Sequence, residues 1–251
     1  MFVGFIIFLV LYFYHNTWSP KNVNIFYKSS PLYIAHRGAP NSEPENTIPS
    51  FLSAVNAGLT AIELDVVSTQ DGVVVCSHNF DLERKTSAEG YIDKTTFENI
   101  KSQTRLIAKL EDVFTIVPKH VIVNIEIKTR NLWDLKTVKE AVRLINKYKI
   151  SDRTILSSFN PIVLLMTHIL NRSIYTAFIV WEKKWIWLID WIHPDFLHPD
   201  YGLVSKDLIR YTKERNMGLN VWTVNSKPGI SWLDEIGVDG IITNRPKFCK
   251  I

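Results

Sequence analysis

The sequence predicts a closed α/β barrel: a (β/α)8 TIM barrel with a small insertion between strands 2 and 3, plus an N-terminal hydrophobic segment. Three observations carry that expectation. The chain has 251 residues, near the usual length of such a barrel. Short β-branched runs alternate with stretches of helical period, the pattern of a parallel sheet. The runs number eight, the count that closes.

In chain order, the first 20 residues carry no Asp, Glu, Lys or Arg, and Phe2 to Tyr14 is almost wholly apolar. As a helix, such a run spans about 20 Å, short of a hydrocarbon core of roughly 30 Å. Extension to Trp18 gives a marginal span with Tyr12, Tyr14 and Trp18 as an aromatic belt. Residues 1–20 therefore read as an uncleaved membrane anchor. A signal segment, or an interfacial or buried N-terminal helix, is the alternative, although no basic start or small-x-small cleavage site is present. Lys21 and Lys28 follow the segment and favour a cytoplasmic-facing barrel by the positive-inside rule. Residues 21–31, broken by Pro20 and Pro31, read as a polar linker, and 32–251 as the barrel.

The strands are expected at LYIAH, AIELDVV, VIVNIEI, RTILSS, IYTAFIV, DFLHP, LNVWTV and DGIIT. Helices are expected at TIPSFLSAVNAG, LKTVKEAVRLINKY, PIVLLMTHILN, KDLIRYTKERN and GISWLDEIG. An extra strand, VVVCSH, follows the hairpin signal Asp71-Gly72. The stretch from Phe80 to about Pro118 exceeds an ordinary βα loop and reads as an insertion over the barrel mouth.

Composition narrows the function classes. A net charge of +4 with scattered Lys and Arg gives no nucleic-acid footprint. Cys76 and Cys249 form no disulfide framework and no CxxC pair.

Residues at the C-terminal ends of barrel strands face the reaction chamber. His36, Glu63, Asp65, Glu126, Ser157, His198, Trp222 and Thr243 all fall at or near such ends. Glu63 and Asp65 sit two apart on a strand and so share a face. Glu126 ends a second apolar strand, with Lys128 two residues on. Carboxylates in apolar runs cost several kcal/mol unless paired or ligating, which makes surface pairing a poor account of them. All-oxygen donors suit a divalent cation, Mg2+ or Ca2+, better than Zn2+. His36 and His78 flank the acidic strand as acid and base candidates. Gly38 allows close backbone approach to a phosphate. Arg37 matches phosphate with its planar fork and Lys128 with a point charge, unless Lys128 serves a surface ion pair.

With these residues in view, AHRGAPNSEPENTIPSF, AIELDVVSTQDGVVVCSHNFDLERKT and NIEIK resemble the signature blocks of the glycerophosphodiester phosphodiesterase family. SSFNP, LHPDY, NVWTVN and GVDGIITNRP resemble its later blocks in the same order, from about Leu32 to Pro246. The resemblance implies metal-dependent hydrolysis of glycerophosphodiesters to sn-glycerol 3-phosphate and an alcohol. It implies His36 and His78 as acid and base, and Glu63, Asp65 and Glu126 as metal ligands. Arg37 and Lys128 would hold the phosphate, Glu45 would lie beside metal and glycerol, and Phe159 and Trp222 would line the pocket. Glu45 could instead cap the helix near Thr47, and the two aromatic residues could be barrel filling. Two positions depart from the family pattern: Asn79 and Asn244 stand where Asp is usual. Asn can orient a neighbour but carries no charge.

The segment IVWEKKWIWLIDWIHPDF has two readings. Trp181, Trp185, Trp187 and Trp191 with Lys183 and Lys184 could form a membrane-resting lip. The preferred reading is a helix whose Trp181 and Trp185, four apart, pack inward. The lip would favour a lysophospholipid substrate, hence a lysophospholipase D-like alternative. A non-catalytic barrel that binds phosphodiesters or a partner protein is the alternative of another class, since fold does not fix function.

Overall fold

The computed structural model describes residues 5, 6, 10, 12, 14, 15, 17–28 and 31–249. Strands β1 (Leu32–Ala35), β2 (Ala61–Ser68), β4 (Ile122–Ile127), β5 (Thr154–Ser158), β6 (Tyr175–Val180), β7 (Phe196–Pro199), β8 (Gly218–Val221) and β9 (Gly240–Thr243) run parallel. β1 pairs with both β2 and β9, which closes the eight-stranded barrel. β3 (Val74–Cys76) folds back antiparallel on the end of β2 and stands outside it.

All eight positions of β2 are buried. Helices cover the outward side chains and the barrel interior takes the inward ones, so the strands read as continuous apolar runs rather than alternating ones. Four of the five expected helices start at a side-chain cap. Thr47, Asn160, Ser205 and Ser226 each accept a backbone N–H with a side-chain oxygen at the start of Ile48–Asn56, Pro161–Leu170, Lys206–Glu214 and Lys227–Ile236.

Four sequence expectations are corrected. The insertion ends earlier than about Pro118. Val67, Val75, Leu82, Ala88, Ile92, Phe97 and Ile100 form its own small core, whereas Leu110, Val113 and Phe114 of the helix Leu110–Ile116 are buried in the main barrel core. That helix belongs to the barrel wall.

Of the stretch expected as a polar linker, residues 21–27 pack on the barrel. Val23 and Phe26, on a 3-10 turn, pack with Ile155, Ala177 and Phe196 at the N-terminal end of the barrel. Lys21 pairs with the buried Asp195 at 2.8 Å, and the Tyr27 hydroxyl donates to Asn220 Oδ1 at 2.8 Å. Two apolar residues on one tight turn are too few to show a strand or helix period.

The membrane anchor, and with it the membrane-associated location, is not supported. Among the described residues no helix is long and apolar enough to cross a membrane. Residues 1–4, 7–9, 11, 13 and 16 of that segment lie outside the described residues. The Tyr14 hydroxyl donates to the Trp191 carbonyl at 2.7 Å, and Trp18 stacks on His193 at 4.7 Å between ring centroids. The supposed belt residues therefore lie on the flank of the barrel, and Lys21 serves Asp195 rather than a membrane boundary.

Finally, the tryptophan segment folds as a 3-10 turn, Lys183–Leu188, and one α turn, Ile189–Ile192. Trp181 precedes the turn and Trp185 lies on it, so the two do not share the face of one α-helix. All four tryptophans are exposed, and Ile189 and Ile192 fill the inward positions.

Candidate active site

His36 and Arg37 follow β1 on a loop held by its neighbours. Arg37 and Gly38 have φ of 54° and 85°, and a Cβ on Gly38 would lie 2.5 Å from Ser50 Oγ. Only glycine fits there. Ser50 Oγ donates to the Arg37 carbonyl at 3.0 Å and accepts from the Ala39 N–H at 2.8 Å. The turn thus delivers the Arg37 N–H to Glu63 Oε2 at 2.8 Å.

Three acidic side chains meet at the C-terminal ends of β2 and β4. Register places Glu63 beside Asn124 and Asp65 beside Glu126. One oxygen from each of Glu63, Asp65 and Glu126 lies within 4.8 Å of the others. Asp65 is fully buried; Lys128 Nζ approaches its Oδ1 at 2.9 Å and Arg37 Nε its Oδ2 at 3.1 Å. Lys128 also pairs with Glu126. Glu63 receives no side-chain cation, and its Oε1 is buried without a partner.

The electrostatics follow from these contacts. Burial pushes the Glu63 carboxyl well above the usual range, and Asp65 and Glu126 push it further. Burial likewise raises Glu126, against the pull of Lys128. Burial would raise Asp65 too, but Lys128 and Arg37 outweigh it and hold the carboxylate ionised. An anionic cluster short of cations, with an unsatisfied oxygen, fits a hard divalent ion.

The histidines sit on either side. His36 Nδ1 bonds Asn244 Oδ1 at 2.6 Å and His78 Nδ1 bonds Asn79 Oδ1 at 3.1 Å. In each case the amide oxygen takes the Nδ1 proton and leaves Nε2 as the acceptor. Asn79 and Asn244 therefore orient the rings, as an Asp would, without its charge. Burial, with Arg37 beside it, lowers the His36 pKa to about 4; burial also lowers that of His78.

A cavity of about 150 Å3 is lined by His36, Arg37, Glu63, His78, Glu126, Lys128, Phe159 and Trp222. Asp65 and Glu45 adjoin this cavity without lining it. Asp65 is buried behind its cations. Glu45 lines a neighbouring cavity of about 210 Å3, where it bridges Arg37 at 3.2 Å and Lys85 at 3.3 Å. It does not cap the helix at Thr47, whose own hydroxyl does that. His78 lines both cavities, and the inner wall of the second comes from Lys85, Thr86, Leu106 and Ile107 of the insertion.

Sequence reasoning passed over Asn46, which lies within the PENT block next to Glu45. At φ 58° it donates to Asp65 Oδ2 at 2.9 Å and accepts from the Asp65 N–H at 3.0 Å. Its signal was an Asn in a turn, a residue that tolerates the left-handed region. Asn124 and His198 also line the barrel cavity.

Residues 36–248 match the model of the glycerophosphoryl diester phosphodiesterase family. A glycerophosphodiester phosphodiesterase from Caldanaerobacter subterraneus subsp. tengcongensis is 32% identical over 233 residues, covering 86% of this chain and 95% of its own. The crystal structure of a glycerophosphodiester phosphodiesterase from Thermotoga maritima is similar at a TM-score of 0.76 and 26% identity, covering 88% of this chain and 97% of that one. An Oleispira antarctica phosphodiesterase, solved with the product sn-glycerol 3-phosphate, has a TM-score of 0.78 at 23% identity, over 86% of this chain and 94% of that one.

Proposed function

This chain belongs to the glycerophosphoryl diester phosphodiesterase family, a phosphoric diester hydrolase acting on glycerophosphodiesters, and on that premise we propose how its residues divide the work. The observation that supports the proposal is a cluster of three carboxylates, two of them lining one cavity together with two cations and two oriented imidazoles.

Glu63, Asp65 and Glu126 would hold a divalent cation, Mg2+ or Ca2+. When bound, the ion supplies positive charge where negative charge develops on the phosphoryl oxygens. Arg37 and Lys128, already turned toward the carboxylates, reach the same oxygens as charged donors. His36, neutral at working pH with Nε2 free to accept, deprotonates the nucleophile. His78 borders both cavities and protonates the leaving alkoxide; the diester's negative charge favours its imidazolium form. The glycerol side then occupies the barrel cavity between Phe159 and Trp222, and the leaving alcohol lies under the insertion, near Glu45 and Lys85. The functional unit begins near Lys21 rather than at Leu32, because Val23, Phe26 and Tyr27 close the barrel.

Hydrolysis of glycerophosphocholine by the purified chain, its loss in chelator, and a fall of orders of magnitude in His36→Ala test the reading. Near-normal turnover by His36→Ala would remove the assignment of the base. Absence of any turnover by the wild-type chain would favour the binding-only barrel.

One observation supports a lysophospholipid as a second substrate. The Trp222, Phe159 and Trp181 rings form a continuous track, with centroids 5.6 and 4.8 Å apart, from the cavity to an exposed tryptophan. An acyl chain could follow it. Rates on lysophosphatidylcholine and glycerophosphocholine in the same detergent separate the two substrates.

A further inference from the structure

The barrel cavity is also lined by two polar side chains that the phosphate chemistry leaves unused. Asn124 on β4 and His198 on β7 are 2% and 1% exposed, and both line the cavity. His198 is held by a relay from the closed end of the barrel. The Tyr27 hydroxyl donates to Asn220 Oδ1 at 2.8 Å, so the Asn220 amide turns its Nδ2 to His198 Nε2 at 3.0 Å. An imidazole that accepts at Nε2 carries its proton on Nδ1. Among the described residues that buried Nδ1–H has no partner, and neither has Asn124 Oδ1. Burial also lowers the His198 pKa to about 3, so the ring stays neutral.

A buried donor and a buried acceptor on two residues that line one cavity each cost about 1–3 kcal/mol until something pairs with them. A cation cannot pair with an N–H donor, and a phosphate cannot pair with an amide oxygen. A hydroxyl group can pair with both, since it donates one proton and accepts at its lone pairs. The cavity, about 150 Å3, admits a three-carbon polyol beside the carboxylates. Trp222, whose Nε1–H donates to the His198 carbonyl at 2.8 Å, stands as an apolar wall for the carbon chain.

We propose that His198 Nδ1–H and Asn124 Oδ1 are the donor and acceptor that read the glycerol hydroxyls of the substrate, and that Tyr27 and Asn220 are positioning residues that fix the His198 proton. The proposal rests on the hydrolase reading above and names what makes that site select glycerol. Neither His198 nor Asn124 takes part in proton transfer to the phosphate. Their contribution is discrimination.

The test compares two p-nitrophenyl phosphodiesters, one of glycerol and one of propanol, which lacks both hydroxyls. The wild-type chain is expected to prefer the glycerol diester by about 100-fold or more in kcat/KM, because a site built for a hydroxyl rejects an analogue without one. His198→Phe should lose about 10- to 100-fold on the glycerol diester and keep its propyl rate within about threefold. Tyr27→Phe, which frees the Asn220 amide to turn, should show the same selective loss at smaller size. An equal loss on both diesters would overturn the proposal and mark His198 as a packing residue over an ordered water. A second measurement needs no variant: wild-type protein should bind sn-glycerol 3-phosphate at least about tenfold tighter than propyl phosphate. Equal affinities would overturn the proposal. Failure of the wild-type chain to cleave either diester is a different result, and it removes the hydrolase reading itself.

Discussion

Replacing Glu63 by Gln should abolish activity and yet stabilise the metal-free protein. Among the three clustered carboxylates, Glu63 is the least compensated. Arg37 Nε and Lys128 Nζ lie on Asp65 and Glu126, whereas Glu63 gains only the Arg37 backbone N–H. Its oxygens lie within 4.8 Å of those of both neighbours. Two unit charges at that spacing repel by about 3 kcal/mol at an effective dielectric constant of about 20. Arg37 and Lys128 offset much of this from behind, leaving a net cost of about 2 kcal/mol. Gln keeps the shape and the acceptor for the Arg37 N–H, and its amide donates to the neighbouring carboxylates. In excess chelator at pH 8, Glu63→Gln should therefore melt about 4–8 °C above wild type, the shift expected for such a change in a domain of this size. Saturating divalent cation should restore the order, since a ligand at about a hundred times its Kd adds about 2.7 kcal/mol to the protein that binds it. Differential scanning calorimetry measures both. A variant that melts below wild type in chelator would refute the claim that the cluster is held together against its own repulsion.

Other outcomes follow from the same geometry. Stability should depend on pH through His198, whose pKa falls from an ordinary 6.5 to about 3 on burial. The unfolded chain binds that proton first, so its contribution to stability is complete above about pH 6.5 and is lost progressively as pH falls toward about 3. Between pH 7 and 5.5 the loss is about 1 kcal/mol, and urea denaturation of His198→Phe should show a correspondingly flatter profile. Asn244→Asp should raise the His36 pKa from its value of about 4, because a carboxylate favours the imidazolium. The acid limb of the kcat/KM profile should then move to higher pH; an unmoved limb would show that His36 is not the titrating base. Trp181→Ala should lower turnover of lysophosphatidylcholine by about tenfold and leave glycerophosphocholine unchanged, as loss of one aromatic contact would. Equal loss on both would make Trp181 a structural support of Phe159.

Much of the site was legible because strand geometry transmits it. Glu63 and Asp65 share a face by period two, and Glu126 aligns with Asp65 because the next barrel strand is in register with β2. What was not legible depends on backbone that no period describes. Asn46 reaches Asp65 only from a left-handed turn. Tyr27 reaches Asn220 only because a polar-looking stretch folds under the barrel. Of the tryptophans expected to pack at i and i+4, Trp181 precedes a 3-10 turn and Trp185 sits on it, so no α-helix joins them on one face. The insertion boundary was misplaced because Leu110, Val113 and Phe114 carry a helical pattern that serves the main core rather than the insertion. Glu45 was expected beside the glycerol, and its pairing with Lys85 could be seen only once the insertion was folded over it.

The claim on which the account depends is that side chains from separate strands share one cation. Isothermal titration of Ca2+ or Mg2+ into the wild-type chain and into Glu63→Gln, Asp65→Asn and Glu126→Gln tests it most directly. One site per chain, weakened at least about tenfold by each of the three substitutions, is the predicted result. Undiminished binding by Glu126→Gln, with the other two affected, would contradict it.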